Sequence, residues 1–218
     1  MPRRHVPTAV ARMALDRRVR TTPGLLFAKL LGTGGGSTFT VRDADPRHWG
    51  LLATWGSAED AGRFEDTPTA RAWERICEEA LLVRMVPLSS RGRWSGREPF
   101  GAPTPRRWDG RVAAVTRARL RTRTTPTFWR AAPPVTRELW ASPGLLLATG
   151  IGEAPVGLQG TFSLWESATA LTDFAYRGPR HVEAVRRTGE VGWYAEELFA
   201  RLGVLQVTGT FAGTTWER

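Results

Sequence analysis

The sequence has few of the residues that build disulfides and metal clusters. Its 218 residues include one cysteine, Cys77, and three histidines, so an internal disulfide and a cysteine-based zinc site are excluded. No run of eighteen apolar residues occurs, so no membrane-spanning helix is predicted. The basic start of the chain is not followed by a continuous apolar stretch. A secretory signal is therefore not predicted, and we expect a cytoplasmic protein.

Lysine is almost absent too, because Lys29 is the only one and arginine carries the basic charge. The formal net charge is +10, which is typical of proteins that bind nucleic acid, membranes or acidic partners. The densest basic run places Arg117, Arg119, Arg121 and Arg123 at alternate positions, the spacing that brings side chains to one face of a strand. No nucleic-acid recognition motif accompanies it. We expect a solvated sheet face or a docking face for an acidic partner, rather than a stripe that follows phosphates.

The most informative feature is a duplication. Residues 23–26 (PGLL) recur as residues 143–146, and Gly32 recurs as Gly152, both 120 positions later. A second group recurs 110 positions later: Trp55 as Trp165, Ser57 as Ser167, and Phe64 as Phe174. Two copies that are 110 to 120 positions apart predict a fused pseudo-dimer rather than a solenoid, which needs three or more shorter repeats.

The hydrophobic pattern assigns elements to each copy. In the first copy we expect helices over 6–20, 58–64 and 70–81, and strands over 24–31, 49–55 and 84–88. In the second copy we expect strands over 113–121, 144–152, 158–165 and 204–208, and helices over 127–140 (interrupted near Pro133), 167–176 and 179–202.

The order in the second copy is strand, helix, strand, strand, helix, strand, which is a ferredoxin-like unit. The predicted fold is α+β, with two tandem ferredoxin-like repeats forming a dimeric α+β barrel within one chain. Residues 1–96 form the first repeat, 97–111 a linker, and 112–218 the second repeat with the functional site. The first strand of the second copy has no counterpart before Val6. We expect either that translation starts upstream of Met1 or that the chain is truncated, with a sheet one strand short as the alternative.

Three histidines are candidates for a metal or haem ligand. His5 lies near the start of the chain, and His48 precedes a strand without an evident partner. His181 follows Gly178 and Pro179 in the first turn of a predicted helix. Its apolar surroundings alone favour a satisfied core histidine over a ligand. Its presence in only one of the two copies favours a function specific to that half.

Six segments are similar to the spheroidene monooxygenase family: LFAKLLGTG (26–34), LSSRGRWSG (88–96), FWR (128–130), GIGEAP (150–155), TFSLW (161–165) and GWYAEELFAR (192–201). The resemblance extends from about residue 6 to residue 213. The family oxidises acyclic carotenoids at C2 to a ketone. Its fold resembles the dimeric α+β barrels of antibiotic-biosynthesis monooxygenases, chlorite dismutases and dye-decolourising peroxidases.

The resemblance implies a haem site in the second half of the chain. His181 would be the axial ligand of the haem iron, with its second ring nitrogen donating to a carbonyl or carboxylate. Cations for the haem propionates would be Arg177, Arg180 and Lys29. An apolar substrate pocket on the sheet side would be lined by Trp129, Phe162 and Trp165. The sequence identifies no distal catalytic residue.

The resemblance also implies a reaction and its partners. Dioxygen would be activated at the haem with electrons from a ferredoxin-type donor, whose acidic surface would dock on the basic protein. Two hydroxylations of one carbon would give a gem-diol that loses water to a ketone. Peripheral membrane contact and a homo-oligomer are both compatible with the sequence.

Three other functions remain open at this point. The protein could be a haem enzyme of secondary metabolism that hydroxylates, oxidises nitrogen or dehydrates another substrate. It could be a cofactor-free monooxygenase of the antibiotic-biosynthesis type. It could also be a haem carrier without catalytic activity.

Overall fold

The computed structural model describes residues 1–15, 18–35, 43–153 and 160–217. The strands are β1 Leu25–Gly34, β2 Ala44–Trp55, β3 Leu81–Gly92, β4 Val112–Leu120, β5 Leu145–Gly152, β6 Gly160–Trp165, β7 Tyr194–Phe211 and β8 Thr214–Trp216. The α-helices are α1 Val6–Leu15, α2 Ala58–Arg63, α3 Pro68–Glu74, α4 Thr125–Trp140, α5 Ala168–Arg177 and α6 Pro179–Val191. No helix of these residues has the length and apolar character needed to cross a bilayer.

All eight strands belong to one antiparallel sheet. The strand order is β2-β1-β5-β6-β4-β7-β3, and β8 pairs with β7. The sheet curls into a half-barrel whose two ends are β2 and β3, and no strand of the described residues joins them. The predicted α+β class is therefore confirmed.

The sheet separates two hydrophobic clusters. The inner cluster includes Phe27 and Leu31 of β1, Val115 of β4 and Leu198 of β7, so both halves of the chain share it. The outer cluster combines Trp165 of β6 with residues of α4 and α5. Because successive residues of a strand point to opposite faces, the central strands β4, β5 and β6 contribute to both clusters.

The duplicated residues adopt the same local structure in both halves. Gly24 and Gly144 have φ angles of +75° and +76°, a conformation that residues with a Cβ rarely adopt. The Gly24 carbonyl accepts a hydrogen bond from Gly56, just after β2, at 2.8 Å, and the Gly144 carbonyl accepts one from Glu166, just after β6, at 2.9 Å. The matched side-chain pairs are Trp55 with Phe64, at 5.5 Å between ring centroids, and Trp165 with Phe174, at 5.4 Å.

The helices that follow are capped in the same way. Ser57 accepts a hydrogen bond from the Asp60 N–H at 3.1 Å and begins α2, and Ser167 accepts one from the Ala170 N–H at 3.1 Å and begins α5. The matched residues therefore mark equivalent turns between a strand and a helix.

One predicted helix is wrong over half its length. The helix expected over 179–202 ends at Val191, because Gly192 adopts a left-handed conformation (φ 63°, ψ 50°) that closes α6. Residues from Tyr194 onward belong to the 18-residue strand β7, which pairs with both β3 and β4. Leu198, Ala200 and Leu202 are buried at alternate positions in the inner cluster, as a strand requires.

Three smaller expectations are also corrected. The helix over 127–140 is continuous through Pro133 and Pro134, and its Leu139 packs with sheet residues in the outer cluster. The helix expected over 70–81 ends at Glu74, and the strand expected over 84–88 extends from Leu81 to Gly92. The expected linker contains no helix or named strand between residues 98 and 111, and Trp108 within it packs against Gly203.

Candidate functional site

His181 lies in the first turn of α6 and its backbone is held from another helix. The Arg180 and His181 N–H groups donate to the two carboxylate oxygens of Glu138 on α4, at 3.2 and 2.8 Å. The residue before the helix is Gly178, which has no side chain to cap it. The first turn is therefore fixed by a carboxylate 43 residues away in sequence.

The imidazole ring of His181 is held by a second contact. Its Nδ1 lies 2.8 Å from the Ala175 carbonyl oxygen, and its ring lies 4.8 Å from the Phe174 ring. A carbonyl oxygen can only accept, so Nδ1 carries the proton. Burial lowers the pKa of His181 below its usual value, although the Ala175 hydrogen bond and the charge of Glu138 oppose this. The ring is neutral at physiological pH.

The other ring nitrogen, Nε2, is free to bind a ligand. Within the described residues it makes no hydrogen bond, and it does not belong to the fully buried unpaired atoms, which lie on Arg12, Thr54 and Trp216. A neutral imidazole with Nδ1–H on a carbonyl and an open Nε2 is the donor arrangement of an axial haem ligand.

His181 does not belong to a cluster of metal-ligating side chains among the described residues. In the part of the chain that the structure describes, no group of three or more His, Cys, Asp or Glu side chains could hold a metal. His181 would therefore be the single protein ligand, which suits a porphyrin that supplies the other four nitrogens. The donor chemistry of the site fits the group that the sequence implied.

The predicted cations fall into two places. Arg177 and Arg180 both precede His181 at the junction of α5 and α6, and both are exposed. Arg177 forms an ion pair with Asp173 at 3.2 Å. Lys29 lies on β1 and contacts Glu153 at 2.5 Å and Ser95 at 2.7 Å, so it belongs to a different group of residues.

The predicted pocket residues are also separated. Trp165 is fully buried and stacks on Phe174, which in turn contacts His181. Phe162 packs against the inner cluster, on the opposite face of β6. Trp129 lies on α4 and is 38% exposed. The structure thus connects Trp165 to His181 through Phe174 and does not bring the three residues into one pocket.

The other two histidines differ from His181. Both ring nitrogens of His48 are occupied, Nδ1 by Asp45 and Nε2 by Glu79, each at 2.6 Å. His5 accepts a hydrogen bond from the exposed side chain of Arg4 at 3.2 Å. His181 is therefore the histidine whose partial burial lowers its pKa and whose Nε2 makes no hydrogen bond within the described residues.

A buried charge cluster on the inner face was missed by sequence reasoning. We call Lys29, Trp94, Arg117, Glu153 and Glu196 the inner charge cluster. Arg117 donates to Glu196, and its second terminal nitrogen lies 3.1 Å from Glu153. Trp94 Nε1 donates to Glu153 at 2.5 Å, and its side chain is almost completely buried. The cluster ties β1, β4 and β7 to the end of β5.

The expectation of a solvated arginine face is wrong for Arg117, which is only 8% exposed. The reason is its register on β4, where it points to the same face as Ala113 and Val115 of the inner cluster. Beyond Leu120 the strand ends and a short 3₁₀ turn follows, so the alternation stops there. The sequence signal that could have found the cluster was the presence of Trp94, Glu153 and Glu196 in the quoted family segments.

The carboxylates of the inner charge cluster remain ionised. Burial raises the pKa of Glu153, but hydrogen bonds from Lys29 and Trp94 and the charges of Lys29 and Arg117 outweigh it, and the pKa is lowered. The pKa of Glu196 is lowered as well, because the N–H groups of Ser95 and Gly96 and the Arg117 guanidinium outweigh the effect of burial. Neither group is poised to take up a proton near pH 7.

A cavity of about 350 Å³ lies where the linker covers β3, lined by Pro87, Phe100, Pro103, Thr104 and Arg106. None of these residues is a predicted site residue. The cavity therefore does not coincide with the surroundings of His181.

Comparison with known proteins identifies the family. No family model matches the chain. A curated spheroidene monooxygenase of Rhodobacter capsulatus is 33% identical over 215 residues, which cover 95% of this chain and 88% of the relative. The chain belongs to the spheroidene monooxygenase family. It is therefore a monooxygenase, and the resemblance seen in the six segments is confirmed.

Other spheroidene monooxygenases give the same result. The Rubrivivax gelatinosus protein is 37% identical over 196 residues, covering 88% of this chain and 73% of that protein. The Cereibacter sphaeroides protein is 32% identical over 193 residues, and the match spans 59% of its length.

Among solved structures, candidate monooxygenases from Fusobacterium nucleatum and Lactobacillus acidophilus superpose with TM-scores of 0.45 and 0.42, each at 10% identity. They cover 100% and 99% of this family member and 93% and 91% of their own chains.

Proposed function

We propose that the protein is a haem-dependent monooxygenase and that His181 is the axial ligand of the haem iron. The observation that carries this proposal is the state of the His181 ring. It is neutral, its Nδ1–H is fixed on the Ala175 carbonyl, and its Nε2 is open. These are the features that a proximal imidazole needs before any cofactor binds.

The neighbouring residues would hold the macrocycle and shield it. Arg177 and Arg180 both precede His181 by a few residues and would bind the propionate carboxylates. Phe174 and the buried Trp165 behind it support the imidazole and exclude water from that side. When bound, the haem would supply an iron centre for the reductive activation of dioxygen.

The proposed substrate is an apolar molecule, and an acyclic carotenoid is the first choice because the curated relatives are named for spheroidene. A monooxygenase places one oxygen atom of dioxygen in the substrate and releases the other as water, so it needs electrons from outside. Two successive hydroxylations at C2 would give a gem-diol, which loses water to form the ketone. A tailoring enzyme of secondary metabolism would share the site and differ in its substrate.

The electron donor is proposed to be an acidic ferredoxin-type protein. The net charge of +10 favours encounter with an acidic partner. Arg177 and Arg180 are exposed at the end of α5 and the start of α6, where a donor would come close to the proposed haem. Low ionic strength should therefore accelerate reduction.

We also propose peripheral contact with the cytoplasmic membrane surface, where apolar substrates concentrate. Five of the nine large apolar side chains that the described residues expose lie on α4, α5 and α6: Trp129, Trp140, Tyr176, Val182 and Val185. Arginines accompany them on the same helices, as is typical of proteins that bind anionic lipid surfaces.

The inner charge cluster offers no free base for a cofactor-free mechanism. Such an enzyme needs a base or a polar pocket that activates its own substrate. Glu153 and Glu196 are ionised but are fully engaged by Lys29, Trp94, Arg117 and backbone N–H groups. We therefore assign the cluster a structural role.

The fold is proposed to consist of two tandem ferredoxin-like repeats that form an α+β barrel within one chain. The strand order β7-β4-β6-β5 in the second half matches a ferredoxin-like unit. Gly32 pairs with its repeat equivalent Gly152 where β1 meets β5, and β3 pairs with its equivalent β7. Pairing of equivalent strands supports a pseudo-twofold axis between the repeats. A homo-oligomer would then be built on other surfaces.

Hemin titration of the purified protein tests the proposal. We expect a Soret band that saturates with one hemin per chain. His181→Ala should weaken hemin binding by more than about 100-fold, since loss of residues behind a ligand already costs about 10–100-fold. His5→Ala and His48→Ala are the matched histidine controls and should bind as the native protein does.

Turnover of an acyclic carotenoid with a ferredoxin and its reductase then separates an enzyme from a haem carrier. Added hemin that keeps the absorption spectrum of free hemin, with no saturable Soret band, would contradict the proposal. Full hemin binding by the His181→Ala variant would contradict it equally.

A further inference from the structure

We infer that Glu138 is a positioning residue that fixes the His181 imidazole for iron ligation from a different helix. The inference rests on the proposed function of His181, but it concerns a residue that neither the sequence nor the relatives single out. Glu138 does not reach the open Nε2 side of the ring; it acts through the backbone of α6.

The start of α6 has no cap of its own. The first N–H groups of any helix lack partners within that helix, and a side chain just before the helix usually satisfies one of them. Here the cap position is Gly178, which has no side chain, and Pro179 has no N–H to satisfy. Both oxygens of Glu138 supply the missing acceptors, at 3.2 Å for Arg180 and 2.8 Å for His181.

Gly178 is needed for the space that it leaves. Its φ of −66° is open to any residue, so its backbone conformation does not require glycine. A Cβ atom at this position would lie 2.6 Å from the Phe174 carbonyl oxygen and 2.8 Å from the Glu138 carboxylate. A local capping residue and the capping carboxylate of Glu138 therefore cannot occupy this place together.

The two contacts of His181 act in combination. Glu138 holds the backbone N–H, and the Ala175 carbonyl holds Nδ1–H at 2.8 Å. One contact fixes the backbone and the other fixes the ring rotation, so together they set the direction of Nε2. The position of Glu138 is fixed by the next residue of α4, Leu139, whose side chain is buried in the outer cluster.

The expected effects distinguish positioning from general stability. Glu138→Ala removes both acceptors and should weaken hemin binding about 10–100-fold, the range measured for residues that orient a ligand. Glu138→Gln keeps one acceptor oxygen, so its hemin affinity should lie between that of the native protein and that of Glu138→Ala. Gly178→Ala should displace both the carboxylate and the Phe174 carbonyl, so it should weaken hemin binding at least as much as Glu138→Ala with Glu138 still present.

The tests use readouts that do not depend on turnover. In the apo-protein, ¹⁵N NMR of the His181 ring should show protonated Nδ1 in the native chain and mixed tautomers in Glu138→Ala. In the ferrous haem complex of Glu138→Ala, the resonance Raman band of the iron–histidine stretch should be shifted and broader than in the native protein. Glu183→Ala is the matched control, because Glu183 is an exposed glutamate on α6 whose ion pair with Arg186 lies within the same helix.

The outcomes are distinguishable. Native ring signals and native hemin affinity in Glu138→Ala would overturn the inference while leaving His181 as the ligand. Full hemin binding by His181→Ala would instead overturn the proposed function. If Glu138→Ala does not fold, Glu138→Gln and Gly178→Ala are measured as separate single variants. Native hemin affinity and a native iron–histidine Raman band in both variants would also overturn the inference.

Discussion

Replacement of Arg117 by methionine is the sharpest test of how the half-barrel is held together. Arg117 is buried, and its guanidinium joins Glu196 of β7 and Glu153 at the end of β5. Methionine has a similar length and is apolar, so the substitution removes the charge without leaving a large cavity. Two carboxylates then lose a cation that they share.

The size of the effect follows from the contacts that remain. Removing one partner of a buried ion pair typically costs about 3–5 kcal/mol. In the Arg117→Met variant, Glu153 keeps Lys29 and Trp94, and Glu196 keeps the two backbone N–H groups after Trp94. We therefore expect the lower end, a loss of about 3 kcal/mol in the free energy of unfolding. For a chain of this size, that corresponds to a decrease in Tm of roughly 6–12 °C.

Urea denaturation followed by tryptophan fluorescence measures the loss, because Trp94 lies within 5.6 Å of the Arg117 guanidinium. Arg63→Met is the matched control. Its exposed ion pair with Glu59 on α2 should be worth less than about 0.5 kcal/mol. A loss below about 1 kcal/mol for Arg117→Met would refute the view that the inner charge cluster locks the sheet.

Two further predictions concern acid stability and membrane contact. Because the pKa of Glu153 is lowered in the folded state, its contribution is complete above its usual pKa of 4.5 and is lost as pH falls below that value. The difference in urea midpoint between the native protein and Glu153→Gln should therefore be largest at pH 7 and shrink at pH 3.5; a constant difference would contradict this. For membrane contact, the double variant Val182→Glu/Val185→Glu should co-sediment less with vesicles containing anionic phosphatidylglycerol. The Leu205→Glu variant, changed at an equally exposed position on β7, should sediment normally, and equal sedimentation of both variants would disprove the helix surface.

The duplication made much of the local structure predictable. Residues that recur at fixed separation, such as Ser57 and Ser167, occupy the same cap position in both halves. The reason is that a cap or a glycine turn depends on a few adjacent residues, and these can be seen directly in the sequence. The equivalent strands β1 and β5 were predicted from their apolar runs, which are also local in sequence.

Features that depend on distant contacts could not be predicted. Residues 195–202 contain Ala, Glu, Leu and Arg, which favour helices in isolation. Pairing with β3 and β4 outweighs that preference and makes them a strand. The inner charge cluster has the same origin, because its members lie on separate strands and loops that meet only in the folded sheet.

The candidate site was predictable in part. His181 was singled out because it occurs in one copy only, and its open Nε2 supports that choice. Its capping partner Glu138 lies on another helix and was not foreseen. Lys29 was expected near the haem from its charge alone, but the fold places it beside Glu153.

The most direct test of the central proposal is chemical rescue of His181→Gly. This substitution removes the imidazole but leaves Phe174 and the Ala175 carbonyl around the vacated space. We predict that the variant binds hemin weakly and that added imidazole restores the native Soret band and the native iron–ligand vibration. Tight hemin binding by the variant without imidazole, with the native spectrum, would show that the iron is held elsewhere.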